Sequence, residues 1–294
     1  MLKLLQNWTL PIAMLIGIAA HRYVVNLSFL LPFLIFLMLF LSFAKISFRE
    51  LKVGQLHIRL LLIQAATALV MYFLFVFFDK VVAESVVICI ITPTASSAAV
   101  VTQRLGGNAA SVTVYMIISN LFAALVIPSV FPLIESNAEL PFMTVSFVIL
   151  QKLFLLLVLP FILAQILHFF SPALHSKAAK YSWISFYIGA SSLAIVSAVT
   201  YYAVIFAETT LFTKTLIALA ALVACLLQFM TGKLIGSRYN DRISGGQALG
   251  QKNTVLATWL SITYLNPVSV IGPGSYILWQ TIINSYQLWK KRKR

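Results

Sequence analysis

Acidic residues are scarce in this chain, with seven Asp and Glu in 294 residues against 21 Lys and Arg. Charged residues together make up 10% of the sequence, where a soluble domain of ordinary composition has roughly 25%. That leaves too little polar surface to cover a globule in water, and makes a bilayer the natural solvent. In lipid every backbone N–H and C=O must be paired internally, so only helices or closed barrels can span. The period-2 alternation of a barrel strand is missing. The apolar runs continue for about 20 residues instead, which selects helices. Cysteine is nearly absent as well. Cys89 and Cys225 both fall in apolar runs, too few for a disulfide framework and without metal-ligand spacing. They read as small packing residues. There is no His-Glu-x-x-His, no Gly-rich phosphate loop and no carboxylate pair inside a span. His21, His57, His168 and His175 all lie near span ends. Membrane proteolysis and nucleotide-driven chemistry thus have no machinery here, and the chain reads as a non-enzyme with no cofactor and no bound metal.

What is present is apolar: 61% hydrophobic residues and a mean hydropathy of +0.97. The sequence predicts an all-α polytopic membrane protein with ten spans: 8–21, 28–45, 60–78, 83–103, 109–134, 142–169, 181–206, 211–235, 244–264 and 268–288. Met1–Ala20 has a basic residue and small residues like those of a signal peptide, but the following spans favour reading it as the first of the ten. No linker suggests a second domain, so residues 1–294 read as a single membrane domain. Sixteen of the 21 Lys and Arg residues fall on one side, from Lys3, Lys45 and Arg49 to the tail Lys290–Arg294. Arg22, Lys80 and Lys214 fall on the other, with Asp79, Glu84, Glu135, Glu139 and Glu208. The positive-inside rule then places both termini in the cytoplasm of a plasma (inner) membrane protein. The net charge of +14 is spread over the loops of one side, which argues against nucleic-acid binding. The basic tail, 289–294, suits anionic lipid head groups.

Two spans depart from the Leu, Ile, Phe and Val pattern. The fourth reads Ile91-Thr92-Pro93-Thr94-Ala95-Ser96-Ser97-Ala98-Ala99 and the ninth Ser244-Gly245-Gly246-Gln247-Ala248-Leu249-Gly250-Gln251-Lys252-Asn253-Thr254. Pro93 removes a backbone donor, and Gly245, Gly246 and Gly250 weaken helix, so breaks are expected at these positions. Interrupted helix at membrane depth is tolerated only where protein or a watery cavity surrounds it. The two spans hold the same place, fourth of five, in each half of the chain. Matching interruptions point to a transporter binding site, and five spans per half make the halves inverted repeats, 1–135 and 142–288. Close packing through small and polar residues is the alternative.

Lys252 lies about nine residues into the ninth span, where a lysine costs roughly 2.5–3.5 kcal/mol to insert. It reads either as a strut that bonds carbonyls freed by the breaks or as a group that handles substrate or protons. Lys152 precedes a very apolar run and is placed to snorkel to an interface.

The stretch from Thr92 to Pro128, with Pro93, Thr102, Gly107-Asn108 and Ser119, resembles the fourth and fifth helices of the bile acid:sodium symporter family. Gly250-Gln251-Lys252-Asn253-Thr254 resembles that family's ninth-helix motif. The resemblance implies a panel and a core domain, discontinuous helices four and nine that cross, and inward transport of organic anions coupled to sodium. The sodium ligands it implies are mostly replaced here. The family's Ser-Asn pair falls on Ala98 and Ala99, its hydroxyls on Val112 and Met116, its shared Glu on Ala248 and its Gln on Lys252. A third-helix Gln is kept as Gln64. Sodium is a hard cation that needs oxygen, and an alanine-lined pocket beside an ammonium offers little.

The expectation is therefore a sodium-independent secondary transporter of a small organic anion. The Lys252 ammonium would stand where the second sodium ion would be, beside Gln251, bridging Gln64 and freed carbonyls. It is a uniporter, or proton-linked if the lysine titrates during the cycle. Half-helix N-termini suit a carboxylate. Thr94, Ser96, Ser97, Asn120, Asn253 and Thr254 are the expected substrate-binding residues. The alternatives are a sodium symporter of reduced stoichiometry, an auxin-carrier-like efflux protein or antiporter, and a non-transporting scaffold or receptor.

Overall fold

The computed structural model describes residues 2–44, 52–134 and 141–293, the stretch 2–8 by its backbone alone. Lys45, Arg49, Glu135, Glu139 and Arg294, and the side chain of Lys3, lie outside the described residues. No strand forms among the described residues. In chain order the helices are α1 (Leu2–Ala19), α2 (His21–Val24), α3 (Leu31–Phe43), α4 (Gln55–Val76), α5 (Lys80–Ile91), α6 (Ala98–Leu105), α7 (Ala109–Ile134) and α8 (Phe142–Leu153). They continue as α9 (Leu159–Phe170), α10 (Pro172–Lys180), α11 (Ile184–Phe206), α12 (Leu211–Ser237), α13 (Arg242–Gly250), α14 (Thr254–Tyr264) and α15 (Ile271–Arg292).

Six helical stretches are long and apolar enough to cross a membrane: His21–Phe43, Gln55–Val76, Ala109–Ile134, Phe142–Phe170, Pro172–Phe206 and Leu211–Ser237. They fit an integral membrane protein. The first expected span is a shorter apolar helix, Thr9–Ala19. The fourth and ninth are each two short helices with a non-helical link, α5 with α6 and α13 with α14. The tenth is a 3-10 turn at Pro267–Val270 followed by α15.

The chain forms two compact units. One comprises Met1–Glu50 and Lys152–Glu208. In it Leu31, Ile35, Leu39 and Phe43 recur every four residues on one face of α3 and are fully buried. Phe43 meets Phe161 of α9 edge-on, with ring centroids 5.4 Å apart. α1 lies against α11 at Gly17, where any side chain would collide with the Ala194 carbonyl. Leu15, Ile16, Phe29 and Phe33 are exposed, which in lipid carries no penalty.

The other unit comprises Leu51–Gln151 and Thr209–Arg294. Its closest helix pair is α12 with α13. A side chain at Gly245 would strike the Gly232 carbonyl and the Gly236 backbone of α12, and one at Gly246 would strike Lys233. Gly245 and Gly246 therefore do not break the ninth span, contrary to the expectation from sequence. They sit inside α13 because small residues on both helices let the backbones touch, and that contact supports the helix that glycine alone would weaken. Asp79 caps α5 by accepting from the Val81 and Val82 amides. His57 is buried at the start of α4, where it accepts from the Gly54 amide and reaches Ser111 through Nε2 at 3.1 Å. α6 ends at Gly106 in the left-handed region (φ 83°), and Lys291 donates to the carbonyl of Arg104 there at 2.9 Å.

Candidate functional site

The site is built from two interruptions of helix in the second unit. The first follows α5. Pro93 has no N–H to return to the Cys89 carbonyl. The Thr92 hydroxyl donates chiefly to the Ile88 carbonyl at 2.9 Å and reaches the Cys89 oxygen only at 3.4 Å. The last carbonyls of α5 are taken by Gln64 of α4, whose Nε2 donates to Ile91 at 3.0 Å and to Thr92 at 3.1 Å. Gln64 is wholly buried, and its Oε1 accepts from the Tyr115 hydroxyl at 2.8 Å.

The second interruption lies between α13 and α14. Gly250 is the last residue of α13, so the break it was expected to mark falls at its C-terminal side, over Gln251–Asn253. α15 supplies the partners here. The Tyr276 hydroxyl donates to the Gly250 carbonyl at 2.8 Å, and the Lys252 amide donates to Gln280 Oε1 at 3.0 Å. Asn253 restarts the helix by capping the Leu256 amide with its Oδ1 at 3.1 Å.

The two interruptions pair with each other. Thr94 and Lys252 form an isolated antiparallel bridge. The Ala95 amide donates to Gln251 at 3.0 Å, the Asn253 amide to Pro93 at 2.8 Å, and the Thr94 hydroxyl to the Ala248 carbonyl at 2.5 Å. The Thr94 amide is met by Ser119 Oγ at 3.2 Å. Backbone groups that neither helix can satisfy are thus satisfied across the link, as burial demands. A polar chain extends from it. Gln251 Nε2 donates to Ser97 Oγ at 2.8 Å and Gln251 Oε1 accepts from Asn284 at 3.3 Å, while Gln247 donates to Asn284 Oδ1 at 2.8 Å.

Lys252 is 1% exposed, and its Nζ has no hydrogen-bond partner among the described residues. The expected bridge from this ammonium to Gln64 does not form. Gln64 spends both amide protons on the carbonyls that the lysine was expected to hold. Beside it, Asn253 Nδ2 is also buried without a partner, and the cap made by Oδ1 fixes which end of that amide is left over. Within the link itself the two groups left over, Lys252 Nζ and Asn253 Nδ2, can donate to an acceptor such as a carboxylate, while Gln247 Oε1 one turn earlier is a buried acceptor without a partner among the described residues.

Of the other expected substrate residues, Thr94 and Thr254 are buried within the link and Ser97 is exposed at the start of α6. Ser96 and Ala99 are half-buried. Asn120 is buried on α7 with its Nδ2 on the Met116 carbonyl at 2.7 Å and its Oδ1 unpartnered among the described residues. Ala98, Val112 and Ala248 lie in an apolar cluster with Leu56, Leu60, Tyr115 and Leu249, and Ala99 and Met116 are not part of it. Their side chains offer no oxygen to a hard cation, so this donor set does not fit sodium. Sequence reasoning missed Tyr115, Tyr276, Gln280 and Asn284. The last three carried a readable signal: at positions 276, 280 and 284 they recur every four residues, so they share one face of α15.

No family model matches the chain, and no curated protein matches it.

Proposed function

We propose that this protein is a secondary transporter of an organic anion, working by alternating access at the paired interruptions of its fourth and ninth spans, independently of sodium. The observation that carries the reading is the buried antiparallel link between Thr94 and Lys252, in which Lys252 Nζ has no partner among the described residues. Broken helices that pair at membrane depth, with half-helix termini directed into the link, are how transporters build a site for a charged solute. The wider plan is ten spans in two inverted halves, residues 1–135 and 142–288, with both termini in the cytoplasm. The order of the compact units supports the repeat: each takes one segment from either half of the chain, Met1–Glu50 with Lys152–Glu208 and Leu51–Gln151 with Thr209–Arg294. The resemblance to the bile acid:sodium symporter family agrees with that plan. The packing of Ala98, Val112 and Ala248 in an apolar cluster supports a cycle without sodium at that place.

Lys252 takes the cation's electrostatic role at the link, and the anion's carboxylate is its counter-charge during transport. Thr94, Ser97, Asn253 and Thr254 line the path of the solute. The test is counterflow of radiolabelled carboxylates, steroid acids and small metabolic acids among them, in liposomes holding the purified chain. Transport by the wild type and its loss in Lys252→Gln supports the reading. A Lys252→Gln variant with unchanged transport and unchanged stability sinks it.

A further inference from the structure

We propose that transport is coupled to protons: Lys252 takes up one proton with each organic monoanion that enters the link and releases it with the anion on the other side. This rests on the transport reading above and adds its driving ion. The surroundings of one nitrogen carry it. Lys252 is buried, and its Nζ has no hydrogen-bond partner among the described residues. The neighbouring Asn253 Nδ2 is a second buried donor without one. Glu84 is the one buried carboxylate among the described residues, and it is engaged elsewhere, by the Asn266 amide at 3.2 Å and by Lys80 at 3.8 Å. Cys89 of α5 is the titratable group that acts on Lys252 electrostatically. The other buried ones on the surrounding helices are Cys225 of α12, Tyr276 of α15, Tyr115 of α7 and His57 at the start of α4. Protonated thiols and phenols bring no negative charge to offset an ammonium, and a histidine can only add positive charge.

An ammonium enclosed by protein without a counter-charge is far costlier than the neutral amine, so the ligand-free link holds Lys252 uncharged. A bound carboxylate or sulfonate reverses that balance, because it supplies the missing counter-charge within hydrogen-bond reach. The Nζ lone pair then takes a proton from water on the open side, and the new N–H donates to the anion beside Asn253 Nδ2. When the anion leaves on the opposite side the counter-charge leaves with it. The N–H bond breaks and the proton passes to water there. Proton and anion favour each other's binding by the same factor, as linkage requires. Both forms that change access are neutral, the amine when empty and the ammonium–anion pair when loaded. The empty carrier returns without a second anion, and the membrane potential does no work on either step. The pH gradient does the driving.

The test uses the purified full chain in liposomes that trap the pH-sensitive dye pyranine, with radiolabelled pyruvate and radiolabelled taurocholate as separate probes and protein-free vesicles as the blank. Taurocholate is a sulfonate that holds no proton near neutral pH, so a proton entering with it has travelled on the protein. One proton appearing inside per taurocholate taken up is the expected result. Accumulation should reach about tenfold when the interior is one pH unit more alkaline. Nigericin, which collapses the pH gradient, should abolish it, and valinomycin–potassium potentials of about 100 mV of either sign should leave it unchanged. Uptake without acidification, or accumulation that ignores the pH gradient, overturns proton coupling and leaves the transport reading standing. Uptake of neither probe under any condition overturns both. Lys252→Arg separates a titrating group from a fixed charge, because a guanidinium does not release its proton. It must lose the pH-driven accumulation, as must Lys252→Met, which has no basic nitrogen. Either variant retaining one proton per taurocholate assigns the coupling to another group and overturns the role of Lys252.

Discussion

Replacing Lys252 with methionine should stabilise the fold while stopping transport. The structure sets the size of the effect. Nζ makes no hydrogen bond among the described residues, so none is lost on its removal. The bonds that hold the residue in place are main-chain ones, the bridge to Thr94 and the amide donation to Gln280, and a methionine keeps both. Insertion scales put a lysine at membrane depth at roughly 2.5–3.5 kcal/mol for a helix centre, taken here as the order of magnitude for the non-helical link, and methionine is an unbranched apolar side chain that can fill the same space. A gain of about 2–3 kcal/mol is therefore expected, in line with the general finding that well-packed apolar groups outperform buried charges. Unfolding in mixed dodecyl sulfate and maltoside micelles, followed by circular dichroism, measures it. A loss of about 1 kcal/mol or more, the size of one broken hydrogen bond, would mean that the Lys252 side chain is a structural strut.

The remaining predictions concern how the link is held. Gln64→Leu releases the Ile91 and Thr92 carbonyls and the Tyr115 hydroxyl, three buried bonds at about 1 kcal/mol each, so a destabilisation of about 3 kcal/mol is expected in the same assay. Tyr115→Phe should cost about 1 kcal/mol, and the double variant should show that the two changes are not additive; full additivity would deny the bond between them. Gly245→Ala places a methyl group against the Gly232 carbonyl, and a loss of about 1–3 kcal/mol is expected, read as lower monodispersity and easier unfolding in detergent.

The sequence made the helical membrane character legible because lipid permits so few backbone solutions. Charge scarcity and 20-residue apolar runs left nothing else, and the boundaries of 109–134 agree with Ala109–Ile134 to the residue. The Pro93 interruption was equally plain, since a missing N–H cannot be restored by context. Gly245 and Gly246 misled for the opposite reason. A glycine weakens helix by local propensity, but the touching backbones of α12 and α13 outweigh that, and the partner glycines lie more than eight residues upstream in another helix. The partner of Gln64 was misjudged because a local reading gives a buried cation first claim on free carbonyls. Only the three-dimensional placement shows that the glutamine reaches Ile91 and Thr92 and leaves Lys252 without them. The stripe of Tyr276, Gln280 and Asn284 was visible in the sequence as a four-residue period, but its purpose depends on α15 running beside the second interruption.

The most direct test of the central claim is carboxylate transport by the reconstituted protein with all sodium replaced by choline. The same rate is expected in both media, within about twofold, because Lys252 supplies the positive charge that a coupling cation would bring and the side chains of Ala98, Val112 and Ala248 provide no oxygen to hold one. Transport that stops when sodium is withdrawn and returns with its addition would contradict it.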